Sequence, residues 1–194
     1  MRIPWRDRGG RVRNLVVYAG ARARRIVEES GLRPDTVEVV AGAAGGPKWL
    51  VLDGLDEAIF SSWITKRTRP LFLVGSSVGA WRFAALAQGI DTHRRFREAY
   101  LAQRFTTVPT ASQASAEIGK FLDAALADGG PSRALSHPHN RLNVLTVACR
   151  GPYALEHKHV LLVLMAAAGI LNVFSRRLLG LFFTRVLFHD PRDL

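Results

Sequence analysis

Ser77 stands in Gly75-Ser76-Ser77-Val78-Gly79. The apolar run Leu71-Phe72-Leu73-Val74 precedes it, and the helix-forming stretch Ala80-Trp81-Arg82-Phe83-Ala84-Ala85-Leu86-Ala87 follows. Strand, tight turn and helix in this order are the sequence form of a nucleophile elbow. The chemistry would be acyl transfer. The Ser77 hydroxyl attacks a carbonyl, and the N–H groups and positive dipole end of the following helix face the resulting oxyanion. The same residues also fit a plain strand-to-helix turn in which Ser77 caps the helix. This stretch alone leaves both open.

A second turn, Gly42-Ala43-Ala44-Gly45-Gly46-Pro47-Lys48, follows the β-branched run Val37-Glu38-Val39-Val40-Ala41. It lacks the Gly-Lys-Ser/Thr of a phosphate-binding loop, and its glycine spacing does not fit a dinucleotide fingerprint. It is either a flexible connection or an oxyanion hole whose small residues turn backbone N–H groups toward a substrate. Pro47 has no N–H. The candidate donors are therefore Gly45 and Gly46, with the N–H of Val78 after the serine, and Lys48 adds positive charge at the rim.

The elements that must position these turns alternate. Asn14–Ala19 predicts a short edge strand, Ala21–Ser30 a helix closed by Gly31, and Val37–Ala41 a strand. Helical spacing follows from Trp49 to Phe60, and the elbow strand starts after Pro70. Such alternation implies an α/β fold with a parallel sheet covered on both faces, whose ligands bind beyond the carboxyl ends of the strands. Further on, Asp91 is placed to cap a helix reaching about Phe105, with His93, Arg94, Arg95 and Arg97 on a basic face. Ser115–Ala127 predicts a helix stopped by Asp128-Gly129-Gly130-Pro131. Leu142–Cys149 predicts a third strand, and Val160–Phe174 and Leu178–Phe188 predict two helices.

The pairing of Gly45-Gly46-Pro47-Lys48 with a later strand and Gly75-Ser76-Ser77-Val78-Gly79 resembles a bacterial branch of the patatin-like phospholipases. Ser175-Arg176-Arg177 and Asp190-Pro191-Arg192-Asp193 are similar to that branch as well. The likeness runs from about Val37 to the end. It implies a three-layer α/β/α fold with a mostly parallel sheet, and hydrolysis of acyl esters, typically lipids, through a Ser–Asp dyad and a serine-bound acyl enzyme. It implies no metal or organic cofactor in the chemistry. Two departures stand out. Lys48 and Trp49 occupy positions where arginine and a further glycine are common. The family's aspartate lies in Asp-Gly-Gly or Asp-Gly-Ala after a later strand, whereas the only such motif here, Asp128-Gly129-Gly130, reads as a helix C-terminus. Asp190 and Asp193 lack the glycines. The expectation is an N-terminal portion of such an enzyme, incomplete before its base, with Ser77 protonated and weakly nucleophilic.

At 194 residues, with 48% hydrophobic and 22% charged residues, the chain suits one globular domain. The single cysteine, Cys149, sits in an apolar run, reads as a buried small hydrophobe, and fits a reducing, cytoplasmic compartment. The net charge of +11 reads as a solvated basic surface, with attraction to anionic membrane or non-specifically to nucleic acid as the alternatives. No nucleic-acid recognition motif and no zinc-ligand spacing is present; His137, His139, His157 and His159 read as surface residues. Val160–Phe174 is short of a bilayer span and reads first as a buried helix, then as an interfacial one. The functional alternative to an ester hydrolase is a catalytically inactive basic protein that sits peripherally on anionic lipid through Val160–Phe188.

Overall fold

The β-branched and apolar runs form the strands that carry the two turns. The computed structural model describes residues 2–4, 16–103, 111–154 and 158–193. Two short strands, β1 (Arg2–Pro4) and β2 (Val16–Tyr18), pair with each other in an antiparallel ribbon apart from the main sheet. The main sheet has the order β3-β4-β5-β6, from β3 (Val39–Gly42), β4 (Leu71–Ser76), β5 (Asn140–Cys149) and β6 (Phe183–Phe188). The first three strands are parallel, and β6 is antiparallel to β5. The fold is thus α/β with a mostly parallel sheet.

Helix α1 (Ala21–Ser30) ends at Gly31, whose φ of 73° lets its N–H reach the Val27 carbonyl. The helical pattern from Trp49 begins earlier and tighter than its spacing predicts. A 3₁₀ stretch, Gly46–Leu52, leads into α2 (Asp53–Ala58). Helix α3 (Val78–Leu86) leaves the elbow and α4 (Ile90–Leu101) follows. Asp91 lies inside the first turn of α4 and binds Arg94 at 2.8 Å; Gly89 holds the cap position. The helix closes at Leu101, short of the predicted Phe105; 104–105 lie outside the described residues. Helix α5 (Ala111–Leu126) stops at Asp128 and Gly129, both left-handed, and α6 (Gly130–Ser136) starts there with Pro131 in its first turn.

Strand alternation puts Val40, Leu71, Leu73 and Leu142 on one face, where they pack with Phe83 and Leu86 of α3 and Ala134 of α6. On the outer side of α3, Val78 and Ala85 meet Trp49, Phe96 and Phe121. The opposite sheet face, expected to be covered as well, leaves Val39, Val147 and Leu187 at least half exposed. Buried Arg67 fixes the entry to β4. Its Nε donates to the Arg69 carbonyl at 2.6 Å, and its terminal nitrogens to the carbonyls of Pro34 and Pro70.

Leu178–Phe188 is not a helix. A 3₁₀ stretch, Arg176–Leu181, precedes β6, and Phe183, Thr184 and Val186 are strand-favouring residues drawn into pairing with β5. The buried reading of Val160–Phe174 is also corrected. Helix α7 (Lys158–Phe174) turns Leu164, Ala168 and Leu171 inward but leaves Leu162 at 71%, Val173 at 83% and Phe174 at 79% exposed. Its inner side is held by Tyr153, whose hydroxyl donates to the Leu164 carbonyl at 2.8 Å. Cys149, read as buried, is exposed because β5 runs beyond the helix layer at its carboxyl end.

The tightest packing is glycine against backbone. A Cβ on Gly79 would lie 2.5 Å from the Gly42 carbonyl carbon and closer still to its oxygen; one on Gly75 would lie 2.5 Å from Ala80 Cα. Gly54 in α2 has open space around it. Gly79→Ala is therefore expected to cost about 3 kcal/mol or more, whereas Gly54→Ala gains about 0.5–1 kcal/mol. Urea denaturation of the two variants beside the parent measures both.

Candidate active site

Parallel pairing sets Gly42 beside Gly75, so the glycine-rich turn and the elbow leave the same carboxyl edge of the sheet. Ser77 sits at that edge with φ 53° and ψ −131°. For a side chain other than glycine this backbone is strained by about 1–3 kcal/mol. The residue is exposed, and its side chain makes no capping bond to α3. The capping alternative is thus not the role of the hydroxyl. The first amide of α3 to find an intrahelical acceptor is that of Ala80, on the Ser77 carbonyl at 2.8 Å. The N–H groups of Val78 and Gly79 precede it, at the positive end of the helix.

Across the edge, Gly45 heads the 3₁₀ stretch and Gly46 follows with φ 53° and nothing within 4 Å of a Cβ placed on it. The Lys48 amide bonds the Gly45 carbonyl at 3.3 Å, so the N–H groups of Gly45 and Gly46 come before the first bonded turn. The Lys48 side chain is exposed. Trp49 turns inward and packs edge-on against His93 and Tyr100, with centroids 5.6 and 5.5 Å away. The unusual tryptophan after the turn is therefore its anchor. Together the two turns place a serine and the leading amides of two helical stretches on one sheet edge.

The carboxylates lie elsewhere. Asp128 is at the other end of α3, where Gln88 Nε2 donates to the Ala125 carbonyl at 2.7 Å and Arg133 holds the Asp128 carbonyl. Helix rise puts that end about 16 Å from Ser77. This agrees with Asp128 closing a helix. Buried Asp190 takes Nε and a terminal nitrogen of Arg192 at 2.8 and 2.7 Å, and Arg192 reaches the carbonyls of His137 and Asn140. Asp193 faces Arg141 at 3.4 Å. These aspartates fasten the start of β5, at the opposite end of the sheet. His137 and His139 lie there too, half-buried rather than at the surface, and the His137 Nδ1 accepts the Asn140 amide at 3.0 Å. His157 lies outside the described residues. Among the described residues no cluster of three metal-ligating side chains occurs.

One group escaped the sequence reading. His93, placed there on a basic face, is fully buried. Its Nε2 lies 3.3 Å from Asp53 Oδ1 and 3.8 Å from Asp56 Oδ2; Arg82 Nε lies 3.4 Å from Asp56 Oδ2, and Arg97 binds Asp53 at 2.7 Å. A signal was available, because His93, Phe96 and Tyr100 share one stripe of α4 at helical spacing. Burial pushes the Asp56 carboxyl up to about 6, against the pull of Arg82, and pushes the His93 imidazole down to about 4, against the pull of Asp53.

The two shifts act oppositely on stability. Between pH 3.8 and about 6, folded Asp56 holds a proton that the unfolded chain has lost, so stability falls as pH rises. Between about 4 and 6.5, the unfolded chain binds a proton that folded His93 refuses, so stability rises with pH. The slopes offset each other in the native protein. Asp56→Asn is expected to leave the rising slope and His93→Gln the falling one, each on the order of 3 kcal/mol across its interval; urea midpoints measured from pH 4 to 7 read the signs. Compared with known proteins, the chain matches no family model, no curated protein and no solved structure.

Proposed function

We propose that the chain is a serine acyl hydrolase of the patatin-like kind acting on lipid or other carboxylic esters, with the three-layer architecture of that family. The observation that carries this reading is Ser77 itself: exposed, strained, without a capping role, and in register with a glycine-rich turn whose amides are free to face an oxyanion. In the reaction Ser77 Oγ attacks the ester carbonyl carbon, the carbonyl oxygen takes the negative charge, and the alkoxide leaves as the acyl enzyme forms. Water then attacks the acyl carbon and restores Ser77. Gly45, Gly46 and Val78 donate to the oxyanion, and Lys48 supplies charge at the rim.

The Oγ proton needs an acceptor, and Asp128, Asp190 and Asp193 are engaged far from Ser77. Those three are thus not the acceptor, and turnover without one is low, because an unassisted serine is a weak nucleophile. A fluorophosphonate tests the serine directly. Slow covalent labelling is expected in the native chain, loss of it in Ser77→Ala, and no change in Asp128→Ala. Labelling that survives Ser77→Ala, or its absence from the folded native chain, would overturn the reading.

A second reading rests on α7 and its surroundings. No helix among the described residues is long and apolar enough to cross a membrane. The exposed side of α7 nevertheless ends at Arg176 and Arg177, which line a groove with Arg185, Val147, Leu179 and Phe183. An apolar helix with a basic rim suits the interface of an anionic bilayer. Under this reading, binding to phosphatidylglycerol vesicles is salt-sensitive, indifferent to Ser77→Ala and weakened about tenfold by Leu162→Asp with Phe174→Asp. Equal binding by that double variant would dismiss it.

A further inference from the structure

Behind the elbow lies a group of buried and half-buried polar side chains for which acyl transfer has no chemical use. Asp53 and Asp56 stand in the first turn of α2, Arg82 in the second turn of α3, and His93 and Arg97 in α4. The Asp56 and Arg82 side chains are 7% and 5% exposed and approach to 3.4 Å. Arg97 and His93 brace Asp53 from the far side, at 2.7 and 3.3 Å. Trp49 leans on His93, so the 3₁₀ stretch that follows the glycine-rich turn joins the same assembly.

Burying such a pair brings little net stability, since desolvation offsets most of the attraction. Well-packed apolar residues would hold the helices together as firmly. What an ion pair adds is a fixed relative position, because a charge displaced from its partner is left buried and alone. The helices joined here carry the two halves of the candidate site. The lead of α2 begins at the glycine-rich turn, and the N-terminus of α3 begins at Ser77.

We propose that the Asp56–Arg82 pair, braced by Asp53, His93 and Arg97, is a positioning device that sets the amides of Gly45 and Gly46 at their working distance from Ser77. Its catalytic consequence rests on the acyl-transfer reading; its structural consequence does not. Oxyanion donors are effective only within a narrow distance of the developing charge. A slip of α2 along α3 therefore lowers the rate of the covalent step and leaves substrate capture alone.

The test compares the native chain with Asp56→Leu/Arg82→Met, which replaces the pair by apolar residues of similar size, and with the conservative Arg82→Lys. Fluorophosphonate labelling of Ser77 is followed against reagent concentration, and amide hydrogen exchange is followed over 48–58. The double variant is expected to keep its urea midpoint, to lose about tenfold or more in maximal labelling rate with an unchanged half-saturating concentration, and to exchange about tenfold faster over 48–58. Arg82→Lys is expected to fall between the two. Native rate and native exchange in a folded double variant would overturn the proposal. If the double variant does not fold, Arg82→Lys decides, and native behaviour there overturns it equally. If the native chain takes no label, the acyl-transfer reading fails, and exchange alone decides whether the pair positions the turn.

Discussion

The structure depends on one close approach of backbone to backbone. Gly42, Gly75 and Gly79 come so near each other that no side chain fits at the last two, and a Cβ on Gly42 would meet the Phe83 ring at 2.7 Å. Contact at that range leaves β3, β4 and α3 no freedom to slide. It holds Ser77 in its strained conformation, since the chain must leave β4 and enter α3 within a single residue. The strain at Ser77 persists because the surrounding packing, including the hydrophobic cluster around Phe83 and Leu86, fixes the chain on both sides of it.

Apolar packing and buried charge divide the work of the helix layer. On the sheet side of α3, Leu71, Leu73, Phe83 and Leu86 form an apolar cluster, with the Arg82 guanidinium 4.8 Å from the centre of the Phe83 ring. On its outer side Trp49, Phe96, Tyr100 and Phe121 form an aromatic cluster, which meets the polar group of α2, α3 and α4 where Trp49 packs on His93. The first arrangement supplies stability with little sensitivity to pH. The second couples the α2 lead, and with it the glycine-rich turn, to α3 and α4.

The elements that carry the candidate site were legible because their signals are local. Gly75 and Gly79 mark the elbow, the β-branched run before Gly42 marks its strand, and helix formers after Ser77 mark α3. Elsewhere the deciding term was not local. Leu178–Phe188 is apolar at both the helical and the strand period, and only pairing with β5 settles it. His93 was hidden among Arg94, Arg95 and Arg97, whose charge reads as an outward face although Arg97 turns with His93 toward Asp53. The apolar α7 reads as buried, yet only its Leu164, Ala168 and Leu171 stripe is turned away from solvent among the described residues. A sequence records how apolar a helix is, not whether another element lies on it.

The two sides of the candidate site differ mechanically. Behind Ser77, Gly75 and Gly79 are wedged against backbone, whereas Gly46 has empty space beside it and a left-handed backbone that few other residues would adopt. Under the acyl-transfer reading, added bulk finds room beside Gly46 and none beside Gly75 and Gly79, so variation over generations of substitution falls on the glycine-rich turn, and the serine stays where the sheet has put it.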